Sequence, residues 1–206
     1  MSPIRLEPAG ALFLAVALTA ACASPAASPG ASAPGGGAPA ALRLLDLEGR
    51  PVDPLEASTK PAVCLLLVRV DCPISNRYAP EVRRLAGVFE ETADFRLVYS
   101  DADETAEAIR AHVADYDYDI PALRDPEQRL RALTGARVTP EVAVFAGDGN
   151  LVYVGRIDDR YVDFGKARPE ARTRDLEQVL TELAAGRSPA FRRTTAVGCP
   201  FAEPAR

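Results

Sequence analysis

The residues best placed to do chemistry stand in Asp71-Cys72-Pro73-Ile74-Ser75. An apolar run from Val63 to Val68 reads as a buried strand ending just before them. Just after them, Val82, Leu85 and Phe89 recur at helical spacing. Cys72 therefore falls where a strand hands over to a helix. The open N–H groups and positive dipole end of a helix favour a thiolate, and the thiolate is the nucleophilic form of cysteine. Pro73 suits the first helical turn, where a missing N–H leaves nothing unsatisfied. Cys64 is different: it lies inside the apolar run and reads as a small core residue.

The elements that must position Cys72 follow from the same patterns. Leu42 to Leu47 reads as a short strand closed by the turn Asp46-Leu-Glu-Gly49, and Lys60-Pro61 opens the buried strand. The first helix runs to about Glu91, and Phe95 to Tyr99 is a second core strand. Asp101 and Asp103 precede a helix in which Ala106, Ile109, Val113 and Tyr116 share a face. His112, the only histidine, neighbours that face and reads as structural. Asp125-Pro-Glu-Gln opens a short helix, with its proline in the first turn, that stops at Gly135. Val138-Thr139-Pro140 then leads into a strand from Glu141 to Phe145, and Asp148-Gly149-Asn150 turns it into a returning strand, Leu151 to Val154. A last helix from about Thr173 carries Leu176, Val179, Leu180 and Leu183 on one face and stops at Gly186. This order predicts an α/β fold with a mixed central sheet flanked by helices, ending in a hairpin and a helix.

Composition narrows the functional classes. The 206 residues carry a formal charge of −5, with no basic stripe and no aromatic platform, which argues against a nucleic-acid partner. No phosphate-loop motif is present, and Gly35–Gly37 falls in a linker. Residues 1–22 read as an export signal: Arg5 precedes an apolar run from Ala9 to Ala21 that is too short to span a bilayer. Leu18-Thr-Ala-Ala-Cys22 resembles a lipoprotein cleavage site, which would make Cys22 the lipid-modified first residue; a plain cut after Ala23 is the alternative. Residues 23–41 are almost all Ala, Ser, Pro and Gly, the composition of a flexible tether. The expected address is the cell envelope or periplasm, anchored to the membrane through lipid.

Three of these features together resemble the thioredoxin-like superfamily, and within it bacterial exported redoxin-domain proteins of the peroxiredoxin-like, alkyl hydroperoxide reductase/thiol-specific antioxidant type. They are Cys72 at the strand-to-helix junction, Val138-Thr139-Pro140 before a strand, and the closing hairpin and helix. The resemblance covers residues 42–186, with 187–206 as a tail. It implies a cis peptide before Pro140, lying against Cys72, with Pro140 orienting the backbone of a thiol partner and Thr139 supplying polar groups beside it. It implies thiol–disulfide exchange or thiol-dependent peroxide reduction without a cofactor, so the expected partners are a disulfide protein or a small peroxide, and a reductant for recycling. Departures from the family patterns bear on chemistry. Ser75 replaces the second cysteine of a Cys-x-x-Cys dithiol, Arg69 replaces the threonine of peroxiredoxins, and Asn76 stands where copper-delivering relatives have their second cysteine.

Cys199, in Ala196-Val-Gly-Cys-Pro-Phe201, is a candidate for the missing thiol, 127 positions beyond Cys72 and close to it only if the tail folds back. A free tail cysteine or an intermolecular bridge are the other readings. Arg77, a turn beyond Cys72, and Arg156, after the last strand, are candidates to hold a thiolate or a substrate carboxylate; the plainer reading pairs them with Asp71, Asp158 or Asp159. Tyr161 to Gly165 is expected to be a loop shaping the same edge. The competing class is a non-enzymatic copper-handling or interaction module, with Cys72, His112 and Cys199 as its soft ligands.

Overall fold

The computed structural model describes residues 42–56 and 58–202. The leader, Cys22, the 23–41 linker and residues 203–206 lie outside the described residues.

Strand β3 (Ala62–Val68) is buried along its whole length, which explains its unbroken apolar run. It lies between β4 (Ala93–Tyr99), parallel to it, and β7 (Glu141–Ala146), antiparallel to it. Strand β8 (Leu151–Gly155) returns from β7 through the expected turn, and β11 (Arg192–Arg193) joins the outer edge of β8 in parallel. On the other side β4 is followed by β5 (Ala122–Arg124), β1 (Leu44–Leu45) and β2 (Pro51–Val52). The eight strands make one mixed sheet.

Helices cover both faces. Alternate residues of β3 point opposite ways. Cys64, Leu66 and Val68 pack with Val82 and Leu85 of α1 (Pro73–Val88), Ile109 of α2 (Ala106–Asp115) and Leu176 and Leu180 of α4 (Asp175–Ala184). Val63, Leu65 and Leu67 pack on the opposite face with Leu130 of α3 (Arg129–Thr134) and with Phe201 from the tail. Two smaller pairings complete the fold: β6 (Val138–Thr139) with β12 (Cys199–Pro200), and β9 (Tyr161–Asp163) with β10 (Lys166–Ala167).

The structure corrects several element boundaries. Helix α3 begins at Arg129, not at Pro126, because the Asp125 carboxylate accepts the amides of Arg129 and Leu130 at 2.8 and 2.9 Å and the chain turns through a left-handed Gln128 first. The first helix stops at Val88, where Phe89 leads into a turn closed by Thr92 N–H to Phe89 O. Tyr161 to Gly165 belongs to the β9–β10 hairpin. The tail is also ordered, with two strands of two residues, and its contact with the sheet is intimate: a side chain at Gly155 would overlap Thr194.

Candidate functional site

Cys72 is the N-cap residue of α1 with Pro73 at the first helical turn, and its Sγ accepts a hydrogen bond from Ser75 N–H at 3.5 Å. Sequence places a thiol there; the fold then encloses it. The Thr139–Pro140 peptide is cis, and Thr139 O lies 3.0 Å from Cys72 Sγ. Over this pair comes the tail. Strand β12 runs antiparallel to β6 with Cys199 opposite Thr139, and the Cys199 sulfur stands 2.7 Å from that of Cys72, both as free thiols. Cys72 is only 1% exposed, while Cys199 is half-buried.

The tail is held at several points. Arg69 Nη1 donates to Pro200 O at 3.2 Å, and Gln128 Nε2 donates to Ala202 O at 2.9 Å. The Phe201 ring is buried in the second core beneath the Arg131 guanidinium, 5.2 Å from its centroid. Gly198 lies so close to Thr139 that any side chain there would overlap the Thr139 carbonyl. Arg69 also reaches Asp71 at 3.1 Å and Asp101 at 3.4 Å, so it ties the tail to the loop that leads into Cys72.

The two thiols differ in acidity. Burial alone would push the Cys72 thiol up, but hydrogen bonds from Cys199 and Ser75 and the neighbouring Thr139 outweigh it and hold the thiol below its ordinary value. Cys199 is pushed up to about 12, first by burial and then by the hydrogen bond and charge of Cys72. Cys72 is therefore the more acidic of the two thiols. Cys64 is fully buried in the first core and its thiol is pushed far up by desolvation, so it takes no part.

Behind Cys72, both backbone polar groups of Val70 are clamped by side chains. Glu104 Oε1 accepts from Val70 N–H at 2.8 Å, and Asn76 Nδ2 donates to Val70 O at 3.1 Å. With its amide nitrogen so engaged, Asn76 presents Oδ1 to His112 Nε2 at 2.9 Å, and His112 Nδ1 faces Tyr99 OH at 2.8 Å. Because the Asn76 Oδ1 can only accept, His112 carries a proton on Nε2. Burial lowers the pKa of His112, in keeping with a neutral ring. Glu104 is pushed up to about 7 by burial, despite the Val70 amide, and its Oε2 is buried with no hydrogen-bond partner. Sequence reasoning missed Asn76 and Glu104 as supports of the site; one available signal was Asn76 itself, one turn along the helix from Cys72.

Other expected residues lie elsewhere. Arg77 faces solvent on α1 and is not among the groups that set the Cys72 pKa. Arg156 pairs with Asp175 in the first turn of α4 at 2.7 Å, so it braces a loop as the plainer reading held, but with a different carboxylate. Tyr161 packs on Tyr78 with ring centroids 5.4 Å apart. Both ring nitrogens of His112 are occupied by Tyr99 and Asn76, so it does not form a ligand set with the two cysteines. Among the described residues, no group of three or more His, Cys, Asp or Glu is arranged to hold a metal ion.

No protein-family model matches the chain, and no curated protein matches it. Solved structures do. A hypothetical protein from Sinorhizobium meliloti is 24% identical with a TM-score of 0.67, over 79% of this chain and 90% of its own. The pneumococcal exposed lipoprotein thioredoxin from Streptococcus pneumoniae is 22% identical with a TM-score of 0.51, over 69% of this chain and 99% of its own. A secreted Mycobacterium tuberculosis disulfide oxidoreductase homologous to E. coli DsbE is 19% identical with a TM-score of 0.50, over 70% and 96%. The chain has the thioredoxin-like fold. At these identities the likeness is one of architecture: a mixed sheet between helices. On this thioredoxin-like frame the second thiol comes from a strand beyond the last helix.

Proposed function

We propose that the protein is a thiol–disulfide oxidoreductase whose redox centre is the pair Cys72 and Cys199. The observation that carries this reading is the 2.7 Å approach of the two sulfurs, held by the pairing of β12 with β6. Closing the pair to a disulfide releases two electrons and two protons, which reduce a partner's disulfide to two thiols; opening it runs the reverse. Cys72, as thiolate, is the nucleophile that forms the internal bond to Cys199. Val138 and Thr139, paired with Pro200 and Cys199, hold the β12 backbone against Cys72. Arg77 and Arg156 stand outside this chemistry.

The test is a peptide map of the full chain after mild oxidation with diamide, beside a disulfide-exchange assay on a model protein. A reversible Cys72–Cys199 link, with exchange lost in both Cys72→Ser and Cys199→Ser, is the expected result. A Cys72 that stays a free thiol would sink the proposal. Peroxide reduction is the related activity that the same variants separate: turnover of peroxide dependent on Cys72 would replace exchange as the reading.

The proposed setting is outside the cytoplasm, with the domain tethered through lipid on Cys22. Support comes from the composition of residues 1–41, and from neighbours of the same fold described as secreted and as an exposed lipoprotein. Loss of membrane association in Cys22→Ala is the expected result.

A further inference from the structure

Resting on that reading, the geometry points to Cys199, not Cys72, as the sulfur through which the partner exchanges. In a pair closed by attack on an external disulfide, the partner must reach one sulfur from solvent. Cys72 is 1% exposed, lying between the start of α1, the Thr139 carbonyl and β12. Its cover is pinned by Arg69, Gln128 and the buried Phe201, so reaching Cys72 requires lifting the tail as a unit. Cys199 lies on the outer strand and is half-buried. A protein thiol meets Cys199 first.

The steps balance in either direction. A partner thiolate attacks Cys199 Sγ of the oxidised pair, forming a partner–Cys199 disulfide and breaking the Cys72–Cys199 bond, whose electron pair departs on Cys72 as a thiolate. The partner's second thiol, once deprotonated, attacks its own sulfur in that mixed disulfide. The partner leaves as a disulfide, and Cys199 leaves as a thiolate that takes up a proton. Two electrons pass from the partner dithiol to the pair; of its two protons, one goes to Cys199 and the other to solvent or to Cys72. In the reverse direction Cys72 attacks Cys199 of the mixed disulfide and frees the partner thiol. The acidity order agrees, since the more acidic thiol is the better leaving group. Cys72 is then the internal electron-pair acceptor, and the surface sulfur handles the partner.

The test uses the full chain with its Cys72–Cys199 bond formed, and reduced glutathione as probe. The reaction is quenched early in acid, alkylated and mapped. Glutathione on Cys199 with Cys72 alkylated, in roughly tenfold or greater excess over the opposite pattern, is the expected result. Adducts chiefly on Cys72 overturn the assignment while leaving the redox pair intact. If the internal bond never forms before glutathione is added, the redox-pair reading itself has failed, and this inference with it.

Discussion

Gly198 stands against the Thr139 carbonyl with no room for a side chain between them. That contact sets the depth at which β12 sits, and so the distance between the two sulfurs. Gly198→Ala is expected to lift the tail, because overpacking a backbone contact costs roughly 1–3 kcal/mol and the only escape is displacement of one strand. Alkylation of Cys72 by iodoacetamide should then accelerate by about tenfold or more, read by mass spectrometry of the digested protein. Unchanged protection of Cys72 would show that the tail is not its cover.

The acidity order gives a titration. With both thiols reduced, thiolate absorbance should rise first at a pH below that of an ordinary cysteine, and that step should vanish in Cys72→Ser. Cys199, held near 12, should ionise far later. A first step that survives Cys72→Ser would reverse the order.

Much of this frame was legible in the sequence. The run Val63–Val68 names the central strand because burial on both faces demands apolar residues without alternation. Cys72 could be singled out because strand and helix signals abut there. Of the tail, only Cys199 as a candidate second thiol was legible. Strands β11 and β12 have two residues each, too few for any periodicity, and their pairing depends on contacts across the whole chain. Arg77 misled because closeness in sequence is not closeness in space: on a helix, five residues on from the N-cap, its side chain points away to solvent.

Asn76 shows what the tightly made loop before Cys72 depends on. Asn76→Ala would leave the Val70 carbonyl and the His112 Nε2–H without partners in a partly buried setting. Orphaning two such groups costs roughly 2–4 kcal/mol, visible in urea denaturation. A loss of well under 1 kcal/mol would mean that water takes over both bonds.

Glu104 makes stability depend on pH. Its carboxyl ionises near 4.5 when exposed and at about 7 in the fold, so the folded chain holds this proton more tightly. The stabilisation is therefore complete below pH 4.5 and is lost as pH rises through about 7, a span worth on the order of 3 kcal/mol. Asp101 and Arg69 face the same carboxyl and oppose each other in the shift. Glu104→Gln should flatten the stability profile between those pH values. A profile identical to that of the parent would place the titration elsewhere.

The 127 positions between the two thiols have a topological meaning. A bond between them would close most of the fold into a single covalent ring. Restricting so long a loop in the unfolded chain is worth about 2–5 kcal/mol, so the melting temperature itself would report the redox state. A single protease cut inside the ring would leave one covalent molecule when the pair is oxidised, and two chains held only by packing when it is reduced. Through that ring, the state of two sulfur atoms would govern the mechanical integrity of the whole domain.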